Sequence, residues 1–307
     1  MSVPSETRAN EAEVSFSNVA AARWWHHGLF ASQTAYVTLA LLALIVVMSF
    51  ASPYFLTEGN LQNVAKNFSF IAIATLGITF VIITGGIDLS VGSMFALTDF
   101  CALYLLDVLN WPVPAVVVAT MVVGGLLGAV NGILIGYLRL RAFIATLITL
   151  IVYRSAFDLL IQRYSNAIAS SLPDIPSWDF IGGGDVLGIP SVAVLYVIVA
   201  IVGHVFLTRL RPGWHITAIG GSRRSAYNSG IPVRRTIALC YVASGVLTSI
   251  GALFFAARLG TVGGDIGVGL EVIVLTATVL GGITLGGGKG SVVKSLVGVL
   301  IVLLMTN

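Results

Sequence analysis

Val113-Pro114-Ala115-Val116-Val117-Val118-Ala119-Thr120-Met121-Val122-Val123-Gly124-Gly125-Leu126-Leu127-Gly128-Ala129-Val130-Asn131-Gly132-Ile133-Leu134-Ile135-Gly136-Tyr137 decides the class of this chain. No charge interrupts it, and a helix needs about 20 apolar residues to cross a bilayer. Comparable runs recur at about 35–51, 68–84, 91–106, 142–162, 191–207, 236–257, 269–282 and 291–305. The whole composition agrees. Of 307 residues, 57% are hydrophobic and 9% charged, and the mean hydropathy is +0.99. A soluble domain carries about 25% charged residues, so a soluble enzyme and a disordered chain are both excluded.

The expected fold is all-α: a polytopic membrane helical bundle of about nine spans over residues 31–307. Residues 1–30 form a polar cytoplasmic leader ending in Trp24-Trp25-His26-His27, an interfacial belt of the kind that anchors spans. The eighth run is short, and the second and third nearly merge. Either is a candidate for a broken or re-entrant element.

Lysine and arginine set the orientation. With the N-terminus inside, 12 of the 16 basic residues fall on the inner side; Lys66, Arg154, Arg163 and Arg258 fall outside. The outer loop 163–190 is acidic, with Asp174, Asp179 and Asp185. The inner loop 208–235 holds six Arg and no acid. The net charge of +3 therefore serves topology, and nucleic acid is not an expected partner. Cys101 and Cys240 sit far apart in apolar runs as small hydrophobes, with neither a metal site nor a disulfide framework.

Thr84-Gly85-Gly86-Ile87-Asp88-Leu89-Ser90-Val91-Gly92-Ser93 reads as a turn followed by a helix cap. Asp88 at membrane depth must bond backbone N–H groups or face water; a structural cap and a place on a transport path both fit. Leu280 to Ser291 echoes this segment. Both read Gly-Gly-Ile-x-Leu, then Gly and Ser, which points to an internal repeat with parallel halves. Gly288-Lys289 is not a phosphate loop: Ile283 and Gly290 stand where that pattern needs Gly and Ser/Thr. The chain is expected to bind no ATP and to need no cofactor. Gly182-Gly183-Gly184-Asp185 matches a string of intramembrane aspartyl proteases, but it lies in a loop rather than a span.

Ionisable groups within spans are the usual functional markers of membrane proteins. Arg154 and Asp158, spaced i, i+4, are read as a structural pair. Asp107 and His204 lie near span ends. Asp99 and Glu271 are deeper, and with Asn131, Thr98, Thr276 and Thr278 they are expected to line a polar cavity. Residues 214–231 are too polar to span and too patterned for a linker. Ser222 is placed to N-cap a short helix ending at Gly230, with Gly220, Gly221, Arg223, Arg224, Ala226 and Ser229 around it. That helix suits a partner's groove or an anionic-lipid patch.

Thr84–Ser93, Arg139–Arg154, Ala218–Ile231, Ser244–Gly260 and Leu280–Ser291 occur in the order and spacing of ribose-type ABC transporter permeases, the membrane subunits of bacterial monosaccharide importers. The chain resembles that family from about Leu56 onward. The resemblance implies a type II ABC importer-like fold of about ten spans, so the tenth is expected to be missing after Asn307. It implies two permease copies, a cytoplasmic ABC ATPase subunit and a periplasmic sugar-binding protein, all in the bacterial inner membrane system. It also implies that 214–231 contacts the ATPase. Ser222 stands where the family usually has Asn, and the Arg223-Arg224 pair is unusual there. No covalent chemistry is expected of the chain. The rival reading is an ion-coupled secondary transporter of a small polar solute working through Asp99 or Glu271; a self-contained symporter has no need of 208–235.

Overall fold

The computed structural model describes residues 33–168 and 175–306. The polar leader with its Trp24–His27 belt, Asp174 and Asn307 lie outside them. Apolar runs become helices because a backbone removed from water must bond to itself. In order these are α1 (Gln33–Ala51), α2 (Glu58–Ile83), α3 (Val91–Leu103), α4 (Val113–Gly132), α5 (Ala142–Tyr164), α6 (Pro176–Gly183), α7 (Ser191–Arg209), α8 (Arg211–Gly221), α9 (Arg223–Asn228), α10 (Val233–Leu259), α11 (Leu270–Leu280) and α12 (Val292–Thr306). Between α6 and α7 lies a two-stranded ribbon, Asp185–Val186 against Ile189–Pro190, turned by Leu187 and Gly188 with positive φ. Asp185 of the protease-like string sits in this ribbon, outside any span.

Six helical stretches are long and apolar enough to cross a bilayer, and Tyr36–Ala51, Leu270–Leu280 and Val292–Met305 are shorter apolar helices. Each falls on one of the nine runs in the sequence. α2 starts at Glu58, ten residues before the apolar run at 68, because Glu58 to Lys66 continues the same helix beyond the apolar core.

α10 is the axis of the bundle and packs on α2, α3, α4 and α6. Its seam with α4 is nearly side-chain-free. Gly124, Gly128, Gly132 and Gly136 recur every fourth residue on the buried face of α4 and its extension. They meet Gly245 with Ser249, Tyr241, Ala238 and Arg234 of an antiparallel α10. Small residues let membrane helices approach until dispersion contacts accumulate between their backbones. The opposite face of α4, Val118, Val122, Leu126 and Val130, is exposed.

Both α3 and α4 end in a wider π turn, Tyr104–Val108 and Ile133–Tyr137. Each then exits through a left-handed residue, Asn110 at φ 53° and Arg139 at φ 59°.

Two spans are broken. The chain from Gly85 to Ser90 is non-helical and largely buried where it leads into α3. The chain from Gly260 to Gly269 is also non-helical, and it leads into α11. The two breaks touch: residue 92 of α3 packs against the Gly267 carbonyl and the Glu271 side chain. Depth follows from the neighbours. Ser90 bonds Asn131, which lies six residues before the end of the α4 extension. At about 1.5 Å per residue Ser90 therefore lies about 9 Å along that helix from its Tyr137 end.

Candidate functional site

The buried break before α3 is held by a polar chain. Asp88 Oδ1 accepts the Ser90 backbone N–H at 3.0 Å and the Ser90 hydroxyl at 2.6 Å. This is an Asx-type turn ahead of the helix rather than a side-chain cap on its N–H groups; Ser90 itself is the N-cap residue. Asn131 Nδ2 donates to Ser90 Oγ at 2.7 Å, and Asn131 Oδ1 accepts from Thr149 Oγ1 at 2.7 Å. Three elements are thus tied together: the break, α4 and α5. Tyr241 of α10 donates its hydroxyl to the Ile87 carbonyl at 3.0 Å, closing the fourth side. Asp88, Ser90 and Asn131 are all fully buried. Non-helical backbone at membrane depth needs this kind of internal satisfaction.

The second break is held by Arg154. Its guanidinium donates to the carbonyls of Ile266, at 2.6 Å, and Gly264, and stacks over Phe157 with 5.0 Å to the ring centroid. Asp158 lies 3.6 Å from Nε. The i, i+4 pair read from the sequence therefore exists, and its cation also clamps a loop more than a hundred residues away. Five donors in a fixed fork suit a guanidinium to two carbonyls at once.

Among the described residues, no hydrogen bond joins the polar residues expected to line one cavity. Asn131 is committed to Ser90 and Thr149. Thr98 bonds back to Met94 O and Thr278 to Leu275 O, inside their own helices. Asp99 is fully buried on α3, and neither carboxylate oxygen meets a donor among the described residues. Glu271 is half-buried in the first turn of α11, at the crossing with Gly92. One turn further along α11, Ile87, Leu89, Phe143, Leu275, Thr276, Val279, Leu280 and Leu285 line a mostly apolar hollow of about 360 Å³. Both broken spans contribute to its walls. His204 on α7 is exposed and far in sequence from both breaks.

The two Gly-Gly-Ile segments meet. Gly85 has φ +76°, and Gly287 packs against its backbone N. The Gly288 N–H donates to the Ile83 carbonyl at 2.9 Å, satisfying one of the open carbonyls that end α2. Onto this pair of turns sits the end of α8, with Gly220 against Ile83 and Gly288.

The segment 211–230 forms two short helices. Ser222 accepts from the Ser225 N–H at 3.2 Å, and Gly230 takes φ +78° after the last turn, so the expected N-cap and C-terminal glycine are both present. The residues divide by direction. Ile216, Ile219 and Ala226 are buried in the main core. Ala226 therefore anchors the helix to its own chain and does not offer its small side chain to a partner. Gly221, Ser222, Arg223, Arg224, Ser229 and Gly230 are exposed. So are Trp214 at 58% and Tyr227 at 72%. Sequence reading passed over these two aromatics; the signal was their place on the polar side of a helix whose other side is apolar.

Comparison with known proteins now adds to this geometry. The family model described as branched-chain amino acid transport system / permease component matches residues 60–307. The ribose import permease protein RbsC of Escherichia coli (strain K12) is 35% identical over 269 residues, covering 88% of this chain and 83% of the relative. The D-allose transport system permease protein AlsC of the same strain is 33% identical over 276 residues, covering 89% and 82%. The galactofuranose transporter permease protein YtfT of that strain is 32% identical over 273 residues, covering 86% and 78%. No solved structure matches the chain. With nearly all of its helical core matched and its apolar helices arranged as a multi-pass bundle, the chain belongs to the branched-chain amino acid transport system / permease component family.

Proposed function

We propose that the chain is the membrane-spanning permease of an ATP-driven importer in the bacterial inner membrane, carrying a monosaccharide or related polyol. It works as one of two permease copies. A cytoplasmic ABC ATPase docks beneath it, and a periplasmic sugar-binding protein delivers the substrate. The relatives' substrates, ribose, allose and galactofuranose, are all small and polyhydroxylated.

The observation that carries this reading is the surface on 211–230. Trp214, Arg223, Arg224 and Tyr227 project from two short helices rooted on both glycine turns. Tyr, Trp and Arg are the residues that dominate protein interfaces, and a self-contained symporter has no use for such a surface. Asp88, Ser90 and the Gly85-Gly86 turn shape the path, Asn131 braces them, and Glu271 stands beside it in the first turn of α11. Asp99 lies behind the path. ATP binding on the partner biases the chain between inward-open and outward-open states. The Arg pair also attracts anionic headgroups at the membrane surface.

Docking is tested by Tyr227→Ala. An interface anchor costs 2 kcal/mol or more on truncation, so co-purification of the ATPase falls by about tenfold or more. Arg223→Gln with Arg224→Gln has a milder effect. An ATPase that stays fully bound to Tyr227→Ala overturns the docking surface.

The orientation has its own check. A cysteine at Ser225 is labelled from the cytoplasm and one at Ser177 from the periplasm; both side chains are exposed. Labelling of Ser177→Cys only from the cytoplasm inverts the topology and sinks the proposal.

A further inference from the structure

We infer that Gly220 is the positioning residue through which the docking segment moves both broken spans together; the inference rests on the docking surface proposed above. Three segments remote in sequence meet at this residue, backbone to backbone. The Ile83 carbonyl accepts the Gly288 N–H at 2.9 Å. Gly220 lies against that same carbonyl and that same N–H, so closely that a Cβ at 220 has no room. From the other side, a Cβ on Gly288 would come within 2.9–3.1 Å of the Gly220 and Gly221 backbone. A Cβ on Gly287 would come within 2.6 Å of the Gly85 nitrogen. One residue on, a Cβ at Gly221 meets nothing within 4 Å. The fit is therefore local to one position.

The nature of the contact gives it a mechanical consequence. A side-chain contact absorbs a small displacement by changing rotamer. A contact between main chains cannot, because packed backbones have no such freedom. α8 is itself fixed to the core through Ile216 and Ile219. A displacement of the docking surface is therefore passed to Ile83 and to Gly288 in the same step. Ile83 leads through the Gly85-Gly86 turn and the non-helical Ile87–Ser90 segment into α3. Gly288 follows α11 by a short loop that includes Leu285, one wall of the apolar hollow. One push from below thus reaches both spans that break and cross. The joint needs no side chain, so it is invisible to any reading that looks for polar or charged contacts.

The experiment uses the whole transporter, with its ATPase and binding protein, in proteoliposomes. Gly288→Ala, outside the docking segment, keeps the ATPase bound and keeps basal hydrolysis. ATP-driven uptake falls by at least about tenfold, because forcing a methylene into close-packed backbone shifts it rather than filling space. Stimulation of hydrolysis by the loaded binding protein is lost, so more ATP is spent per substrate moved. Gly220→Ala gives the same losses of uptake and of stimulation from the opposite side. The two together are no worse than the worse single, because both open one joint. If Gly220→Ala does not insert, Gly288→Ala carries the same readouts. Normal uptake and normal stimulation in the variants overturn the inference. So do effects that multiply in the double variant, and so does release of the ATPase by Gly220→Ala, which would make residue 220 part of the docking surface itself. Failure of the docking reading is seen separately, as an ATPase that Tyr227→Ala does not release.

Discussion

Gly128→Val leaves a protein that no longer holds α4 against α10. At residue 128 an added Cβ is driven into the Tyr241 carbonyl oxygen, and it comes within 3.0–3.1 Å of the Tyr241 carbonyl carbon and the Val242 Cα. The obstacle is main chain on the central helix of the bundle, so neither side has a rotamer to change. Overpacking usually costs about 1–3 kcal/mol, more where the backbone must shift; a branched residue against backbone falls at the upper end. The melting temperature of the detergent-purified permease drops by roughly 5–10 °C. Val122→Leu, on the exposed face of the same helix, changes stability by less than about 0.5 kcal/mol. A Gly128→Val protein that melts with the wild type would mean that the α4–α10 seam is not a close-packed one.

That seam also marks where the sequence stops being readable. The run from Val113 to Tyr137 announces a span through its lack of charge, and nine such runs became nine apolar helices. The local signals held as well: Gly-Gly-Ile marked two helix exits, and Ser222 with Gly230 bounded one short helix. Each of these depends on residues a few positions apart. The face of a membrane helix is different, because lipid and protein are equally apolar and hydropathy does not separate them. Only the glycine spacing marks the buried side of α4, and it does not say which helix lies there. The site was legible residue by residue but not as an assembly. Asp88 and Asn131 stood out as polar groups in apolar surroundings. That both bond Ser90 is a contact across 41 positions, set by how three helices pack. Arg154 drew a partner four residues away, yet its guanidinium also bonds Gly264 and Ile266. Thr276 and Thr278, two residues apart on α11, face opposite ways, one exposed and one buried.

Asn131→Leu is the substitution on which the broken-span picture turns. Leucine matches the size of the side chain and suits the apolar run, so composition alone rates it harmless. The packing says otherwise. Asn131 gives a hydrogen to Ser90 Oγ and takes one from Thr149 Oγ1, both at 2.7 Å, and it is fully buried. Leucine does neither. Thr149 retains a bond to the Thr146 carbonyl at 3.2 Å, which softens its loss. Ser90 keeps Asp88 Oδ1 as its acceptor, but the break then has no bond to α4. Losing hydrogen bonds whose partners each keep another costs about 0.5–1.5 kcal/mol per bond. The loss falls on the element that joins α2 to α3, so it appears first in transport. Uptake falls by roughly tenfold, the equivalent of about 1.4 kcal/mol, while the purified protein stays helical. Asp88→Asn and Asn131→Leu act on one chain of bonds, so the double variant loses less than the sum of the two singles. Strict additivity in that cycle would mean that Asp88 and Asn131 act separately, with the turn held by Tyr241 alone.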